Sequence, residues 1–96
     1  MSIEKIAKYI WFLETRSAYQ PQSPHMSYLG THKNTGYYFI YKKDSFTTLD
    51  FGSLTEHVKI RAARYIIYAD NCLLSERFMK LNNIKFKKTP RNFIHY

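Results

Sequence analysis

Apolar and polar positions form their clearest pattern between residues 64 and 90. Residues 65–68 read Tyr-Ile-Ile-Tyr, a run of β-branched and aromatic side chains that favours a strand covered on both faces. Residues 73–81 repeat apolar side chains at helical spacing, and in 84–88 apolar residues alternate with lysines, as in a strand with one buried face. The stretch therefore predicts a βαβ unit, in which a helix connects two parallel strands.

The preceding residues extend this arrangement. Residues 36–42 contain the run Tyr-Tyr-Phe-Ile-Tyr and predict a first strand, and 46–49 predict a short antiparallel edge strand. Ser53 and Glu56 have the spacing of a capping box, which predicts the start of a helix. We expect a single small α/β domain with a βαβαβ core over 36–90 and a three- to four-stranded, mainly parallel sheet. Its strands lie near 36–42, 64–69 and 84–88, and its helices near 53–62 and 73–81.

A helix is predicted ahead of this core, over residues 1–14. Ser2 is a suitable N-cap, and an apolar stripe that begins at Ile3 would cover the sheet. Tyr9 and Trp11 lie at the margins of this stripe and are of the amphipathic type that interfaces use. Both are candidate contacts to a protein partner.

Residues 15–35 and 91–96 are predicted to be irregular. The first segment contains two prolines and little periodicity, and long loops of this kind are often functional. Tyr28 is a further candidate partner contact there. His25 and His32 lack a third ligand nearby, so no metal site is predicted. The second segment is predicted to be a tail after the strand-ending Pro90.

The composition is strongly basic, with fifteen Lys and Arg against seven Asp and Glu and a net charge of +8. A balance of this kind favours nucleic acid, an anionic membrane surface or an acidic protein as the partner. The charge is also uneven, because no acid follows Glu76. The six cations that follow, which are candidate nucleic-acid-binding residues unless they are merely solvated, are Arg77, Lys80, Lys85, Lys87, Lys88 and Arg91.

Signatures of enzyme chemistry are missing from the sequence. It contains neither a glycine-rich phosphate loop nor a nucleophile elbow, so no catalytic residue, cofactor or metal is predicted. Asp70 follows a predicted parallel strand, where ligands gather in α/β sheets, but it is equally suited to capping a helix or pairing with Arg91 or Lys88. The lone Cys72 and the absence of a secretion signal predict a reducing cytoplasm, in a bacterium or a phage-infected host.

Four segments carry a resemblance to a known family. They read Tyr-Tyr-Phe-Ile-Tyr at 37–41, Thr-Thr-Leu-Asp at 47–50, Tyr-Ile-Ile-Tyr-Ala-Asp-Asn-Cys-Leu-Leu at 65–74, and Asn-Ile-Lys-Phe-Lys-Lys-Thr-Pro-Arg at 83–91. Over residues 36–92 the chain resembles the C-terminal segment of bacterial site-specific DNA adenine methyltransferases. The Asn/Asp-Pro-Pro-Tyr/Phe catalytic motif and the cofactor loop are missing, and Asn92-Phe93 replaces the family's Asp-Ile. The resemblance therefore implies an accessory domain without the methylase.

Two functions are predicted. The first is a non-catalytic module that binds DNA or RNA through the basic C-terminal surface. The alternative is a phage- or plasmid-encoded anti-defence protein, which would inhibit a CRISPR or restriction complex by binding the effector through Tyr9, Trp11 and the 15–35 loop.

Overall fold

The computed structural model describes residues 3–19 and 27–91, which form three helices and six strands. The helices are α1 (Ile3–Thr15), α2 (Phe51–His57) and α3 (Glu76–Leu81). The strands are β1 (Tyr28–His32), β2 (Thr35–Phe39), β3 (Thr48–Leu49), β4 (Arg64–Ala69), β5 (Asn71–Cys72) and β6 (Ile84–Lys88). Four of them form a sheet in the order β1-β2-β4-β6, in which β1 is antiparallel and the other pairings are parallel. The predicted α/β class and N-terminal helix are confirmed.

Burial on both faces explains the continuous apolar runs of the two central strands. All five residues of β2 are buried. On one face Phe39 and Tyr68 pack with Ile6 and Ile10 of α1, and on the other face Ile67 packs in a cluster that includes residues of α2 and α3. A fully buried side chain of this size contributes about 1.5–3 kcal/mol, so the two clusters hold the helices on the sheet.

The strand β1 lies inside the segment predicted to be an irregular loop. It pairs with β2 through a two-residue turn at Lys33 and Asn34, whose φ angles are 49° and 65°. Positive φ at both positions gives a turn whose twist matches that of the flanking strands. The strand β1 was not predicted because it lies at the sheet edge, is irregular between Tyr28 and Gly30, and lacks a continuous apolar pattern. The sheet is therefore mixed.

Two short strands also interrupt the predicted βαβαβ order. β3 pairs in parallel with β5 in a separate two-stranded sheet, so the predicted antiparallel edge strand is wrong in orientation. Because β5 takes up residues 71–72, α3 begins only after Ser75, whose side chain accepts a hydrogen bond from the Phe78 backbone N–H. The strands expected near 36–42, 64–69 and 84–88 correspond to β2, β4 and β6.

The capping box of α2 begins three residues earlier than predicted. Asp50 is the N-cap, and its Oδ1 accepts a 2.9 Å hydrogen bond from the Ser53 backbone N–H, while Ser53 Oγ accepts one from the Asp50 N–H. Ser53 therefore closes the box that it was predicted to open. The helix ends at His57, before the segment that leads to β4.

Some predictions fall outside the described residues. These concern the N-cap role of Ser2, the part of the 15–35 loop at residues 20–26, and the tail at 92–96.

The close approach of Trp11 to β1 requires a glycine at position 30. Gly30 has φ +141°, and a Cβ there would lie 2.9 Å from the indole ring. We predict that Gly30→Ala lowers the free energy of unfolding by about 1–3 kcal/mol, because the backbone is strained and the ring must move. Urea denaturation followed by circular dichroism measures this change.

The control is Gly52→Ala, because Gly52 lies in α2 with only the Asp50 carboxylate near its Cβ, at 3.5 Å. That variant is expected to be neutral or slightly stabilised, and equal losses in the two variants would contradict the account.

Candidate functional site

Five of the six cations predicted to bind nucleic acid lie on α3 and β6, and they point in different directions. Arg77 and Lys80 are exposed on α3, which packs on one face of the sheet. Side chains alternate along β6, so Lys85 and Lys87 project from the opposite face, on the side of α1, whereas Lys88 projects on the side of α3. These five residues therefore do not form one continuous surface.

Lys87 is engaged at the C-terminal end of α1. Its Nζ lies 2.6 Å from Oε2 of Glu14, a carboxylate that is itself buried, and the Tyr68 hydroxyl donates to the same oxygen at 2.5 Å. Burial and the adjacent carboxylate raise the pKa of Tyr68, so its hydroxyl remains a donor. Lys87 thus balances a buried charge and attaches β6 to α1.

Arg91, the sixth predicted cation, forms a two-point ion pair with Asp70. Its Nε lies 2.6 Å from Oδ1, and its Nη2 lies 2.8 Å from Oδ2. The Thr47 backbone N–H also donates to Oδ2, at 2.8 Å. Asp70 is only 5% exposed, and both of its oxygens are used by these contacts. Of the roles that the sequence allowed for Asp70, the structure shows the ion pair with Arg91.

Electrostatics at Asp70 favour its ionised form. The Arg91 guanidinium holds the pKa of the carboxyl below its usual value of 3.8, and the Thr47 backbone N–H acts in the same direction against the opposing effect of burial. Charge-assisted, two-point contacts of this kind are among the stronger polar interactions in proteins. At neutral pH the pair is therefore fully charged, and Asp70 contributes little negative potential to its surroundings.

Arg91 also fixes the turn that follows β2. Its Nη2 donates to the backbone carbonyls of Lys42 and Ser45, at 3.1 Å and 3.0 Å. Its guanidinium carbon lies 4.9 Å from the centroid of the Tyr41 ring and 5.1 Å from that of Phe46, within the range of cation–π attraction. One guanidinium thus joins the segments that follow β2, β4 and β6.

A cleft of about 620 Å³ lies at this carboxyl edge, with Phe46, Lys88 and Arg91 among its lining residues. The crevice beyond the carboxyl ends of the strands is where open α/β sheets bind their ligands. Thr89 also lines the cleft, and its buried hydroxyl has no hydrogen-bond partner among the described residues. Such groups are few in native folds. Together these features make the cleft the best candidate site in the part of the chain that the structure describes.

Two lysines that the sequence analysis did not select border the same edge. Lys42 and Lys43 lie in the exposed segment after β2 that Arg91 holds in place. With Lys88 and Phe46 they form what we call the carboxyl-edge surface. The signal for it is present in the sequence, since a Lys-Lys pair lies shortly after the first parallel strand.

Trp11, predicted to be a partner contact, is instead part of the core. It is 8% exposed, and its indole N–H donates to the Ala18 carbonyl at 3.2 Å. Its ring meets the Tyr37 ring edge-on, with the centroids 5.5 Å apart. Gly30 leaves the space that the indole occupies, which explains why the ring lies inside the fold.

The other two candidate partner contacts lie apart from each other. Tyr9 is partly exposed on α1. Tyr28 is half-buried in β1, its hydroxyl is 2.6 Å from Thr31 Oγ1, and its ring packs against Tyr38 at a centroid distance of 5.3 Å. The structure thus brings neither residue to the carboxyl-edge surface.

Comparison of the chain with protein-family models, with curated proteins and with solved structures found no match in any of the three. Within residues 3–19 and 27–91, no helix has the length and apolar character needed to cross a bilayer. In the same residues, no group of three His, Cys, Asp or Glu side chains is arranged to hold a metal ion. We therefore infer function from the geometry of the carboxyl edge.

We predict that Asp70→Asn lowers the free energy of unfolding by about 2–3 kcal/mol at pH 7, because it removes the counter-charge of the partly buried Arg91. The folded-state pKa of Asp70 is depressed, so its contribution is complete above about pH 5 and is lost as the pH falls through and below about 4. The difference between the wild type and the variant should shrink over that acidic range. Urea denaturation from pH 3 to pH 8 measures it.

Asp50→Asn is the matched control. Asn caps a helix about as well as Asp, so this variant should change stability little at pH 7. Equal stability of Asp70→Asn and the wild type at pH 7 would show that the ion pair does not stabilise the fold.

Proposed function

We propose that this chain is a non-catalytic module that binds nucleic acid through the carboxyl-edge surface. The observation that carries the proposal is that Lys88 and an exposed Phe46 line one cleft, while the exposed Lys42 and Lys43 lie in the segment that Arg91 holds beside it. Lysines supply charge for phosphates, and an aromatic ring supplies a face for bases.

The distribution of acids determines how much positive charge is left at this surface. Two of the seven, Glu14 and Asp70, are engaged with Lys87 and Arg91. Their charges are thereby compensated inside the fold. Asp44, in the turn after Lys43, is the acid nearest to the surface lysines in the sequence, so the local excess of positive charge is smaller than the total of +8 implies.

The contacts that Asp70 already makes favour ligand binding over catalysis at this site. Both carboxylate oxygens accept hydrogen bonds from Arg91, and one of them also accepts from Thr47. A metal ion bound at Asp70 would have to displace the guanidinium that holds three segments together. We also propose a reducing cytoplasm as the compartment, which suits a chain whose one cysteine is free.

A protein-binding, anti-defence function is the second candidate, favoured by two exposed apolar residues elsewhere on the surface. Phe51 is 61% exposed and Leu73 is 75% exposed, and the Leu73 N–H donates to the carbonyl of Leu49, two residues before Phe51. Exposed apolar side chains that cluster can mark an interface. If this pair binds a CRISPR or restriction effector, Phe51→Ser with Leu73→Ser will abolish capture of the effector, whereas charge reversal at the carboxyl edge will leave capture intact.

We predict that Lys42→Glu with Lys43→Glu weakens binding to a fluorescein-labelled oligonucleotide at least 10-fold at 50 mM salt, as measured by fluorescence anisotropy. The matched control is Lys59→Glu with Arg61→Glu. These exposed residues precede β4 at the opposite edge of the sheet, and the change in net charge is the same. Three lysine–phosphate contacts give a slope of log K against log salt between about −2 and −3. Equal losses in both double variants would show that only net charge matters, and no binding by the wild type would refute the proposed function.

A further inference from the structure

We infer that the ligand of the carboxyl-edge surface is single-stranded nucleic acid, one base of which stacks on the ring of Phe46. This inference rests on the proposed function and narrows it to one substrate class.

Phe46 is a large apolar side chain that contributes little to the core. Its side chain is 74% exposed, and it is absent from both core clusters. Its position is nevertheless defined, because Arg91 lies 5.1 Å from the ring centroid and also holds the carbonyl of Ser45, the preceding residue. The ring is therefore presented on a fixed segment and remains accessible.

The charges around Phe46 match a phosphate backbone. Lys42 and Lys43 lie four and three residues before it in the same clamped segment, and Lys88 lines the cleft together with the ring. A strand whose base covers the ring would place neighbouring phosphates within the field of these lysines. The cleft of about 620 Å³ lies within the range of about 300–1,000 Å³ that is usual for ligand sites.

A duplex does not use the ring. Its base faces are hidden in the stack, and it offers phosphates and groove edges to the protein. Unstacked bases of a single strand offer free faces, and stacking on an aromatic side chain strengthens binding by a factor of roughly 10 per base. The lysines alone would bind both forms, whereas Phe46 discriminates between them.

Phe12 provides an internal comparison. It is also an exposed aromatic residue near a cation, with Arg16 5.5 Å from its ring centroid, but it lies on α1 and is not among the lining residues of the cleft. Non-specific binding to exposed aromatic rings would therefore involve Phe12 and Phe46 alike, whereas a specific base-stacking site would involve Phe46 alone.

The experiment compares wild type, Phe46→Ala, Phe46→Trp and Phe12→Ala in fluorescence anisotropy with a 12-nucleotide single strand and with a hairpin duplex of the same sequence. We expect the wild type to bind the single strand about 10-fold more tightly, Phe46→Ala to lose this preference, and Phe12→Ala to retain it. In Phe46→Trp the preference should persist, and the new indole fluorescence should be quenched by the single strand only. All four proteins should unfold at similar urea concentrations, because the two exposed rings contribute little to the fold.

Two results would overturn the inference while leaving the proposed function intact. One is equal affinity of the wild type for both forms, and the other is an equal loss for both forms in Phe46→Ala. Failure of the proposed function is distinct, since neither oligonucleotide would then bind to the wild type.

Discussion

The ion pair between Asp70 and Arg91 determines how the carboxyl edge of the sheet is built. Asp70 follows β4, Arg91 follows β6, and the same guanidinium holds the turn after β2 through two backbone carbonyls. Without this guanidinium, the segments after three parallel strands would lose their common contact. A buried pair of this kind needs additional hydrogen bonds to offset desolvation, and Thr47 supplies one of them.

Ion pairing inside the fold also determines which positive charges remain available to a ligand. Arg91 and Lys87 each lie 2.6 Å from a carboxylate oxygen, and each balances an acid inside the fold. What remains at the carboxyl edge is a smaller set of lysines around an aromatic ring. The net charge of +8 therefore overstates the potential of any single surface, and the salt dependence of binding is expected to reflect about three contacts.

Polar residues from three separate segments meet at this same edge. Thr47 and Arg91 each contact Asp70 directly. Their shared role in this structure is architectural. A requirement to hold the ends of parallel strands explains why these residues lie together.

The sequence predicted β4, α3 and β6 well, because their hydrophobic periods are regular and local. The strand β1 was not predicted, because its irregularity between Tyr28 and Gly30 breaks the alternation of apolar and polar residues. Ser53 was predicted to be the N-cap of α2, whereas Asp50 is the N-cap in the structure. The predicted basic surface failed to assemble because alternation along β6 separates Lys87 from Lys88. Lys87 pairs with Glu14 only because α1 packs on that face of the sheet, and this tertiary contact cannot be read from local sequence. The Lys42-Lys43 pair, by contrast, could have been found from strand order alone.

The most direct test of the account is a backbone amide chemical-shift titration of the wild-type protein with an unlabelled 12-nucleotide single strand. If the single strand binds at the carboxyl-edge surface, the largest chemical-shift changes will occur at residues 41–46 and 88–91, and the amides of α1 and residues 59–63 will be essentially unchanged. Shifts centred on α1 or around Phe51 and Leu73, or no shifts at all, would contradict it.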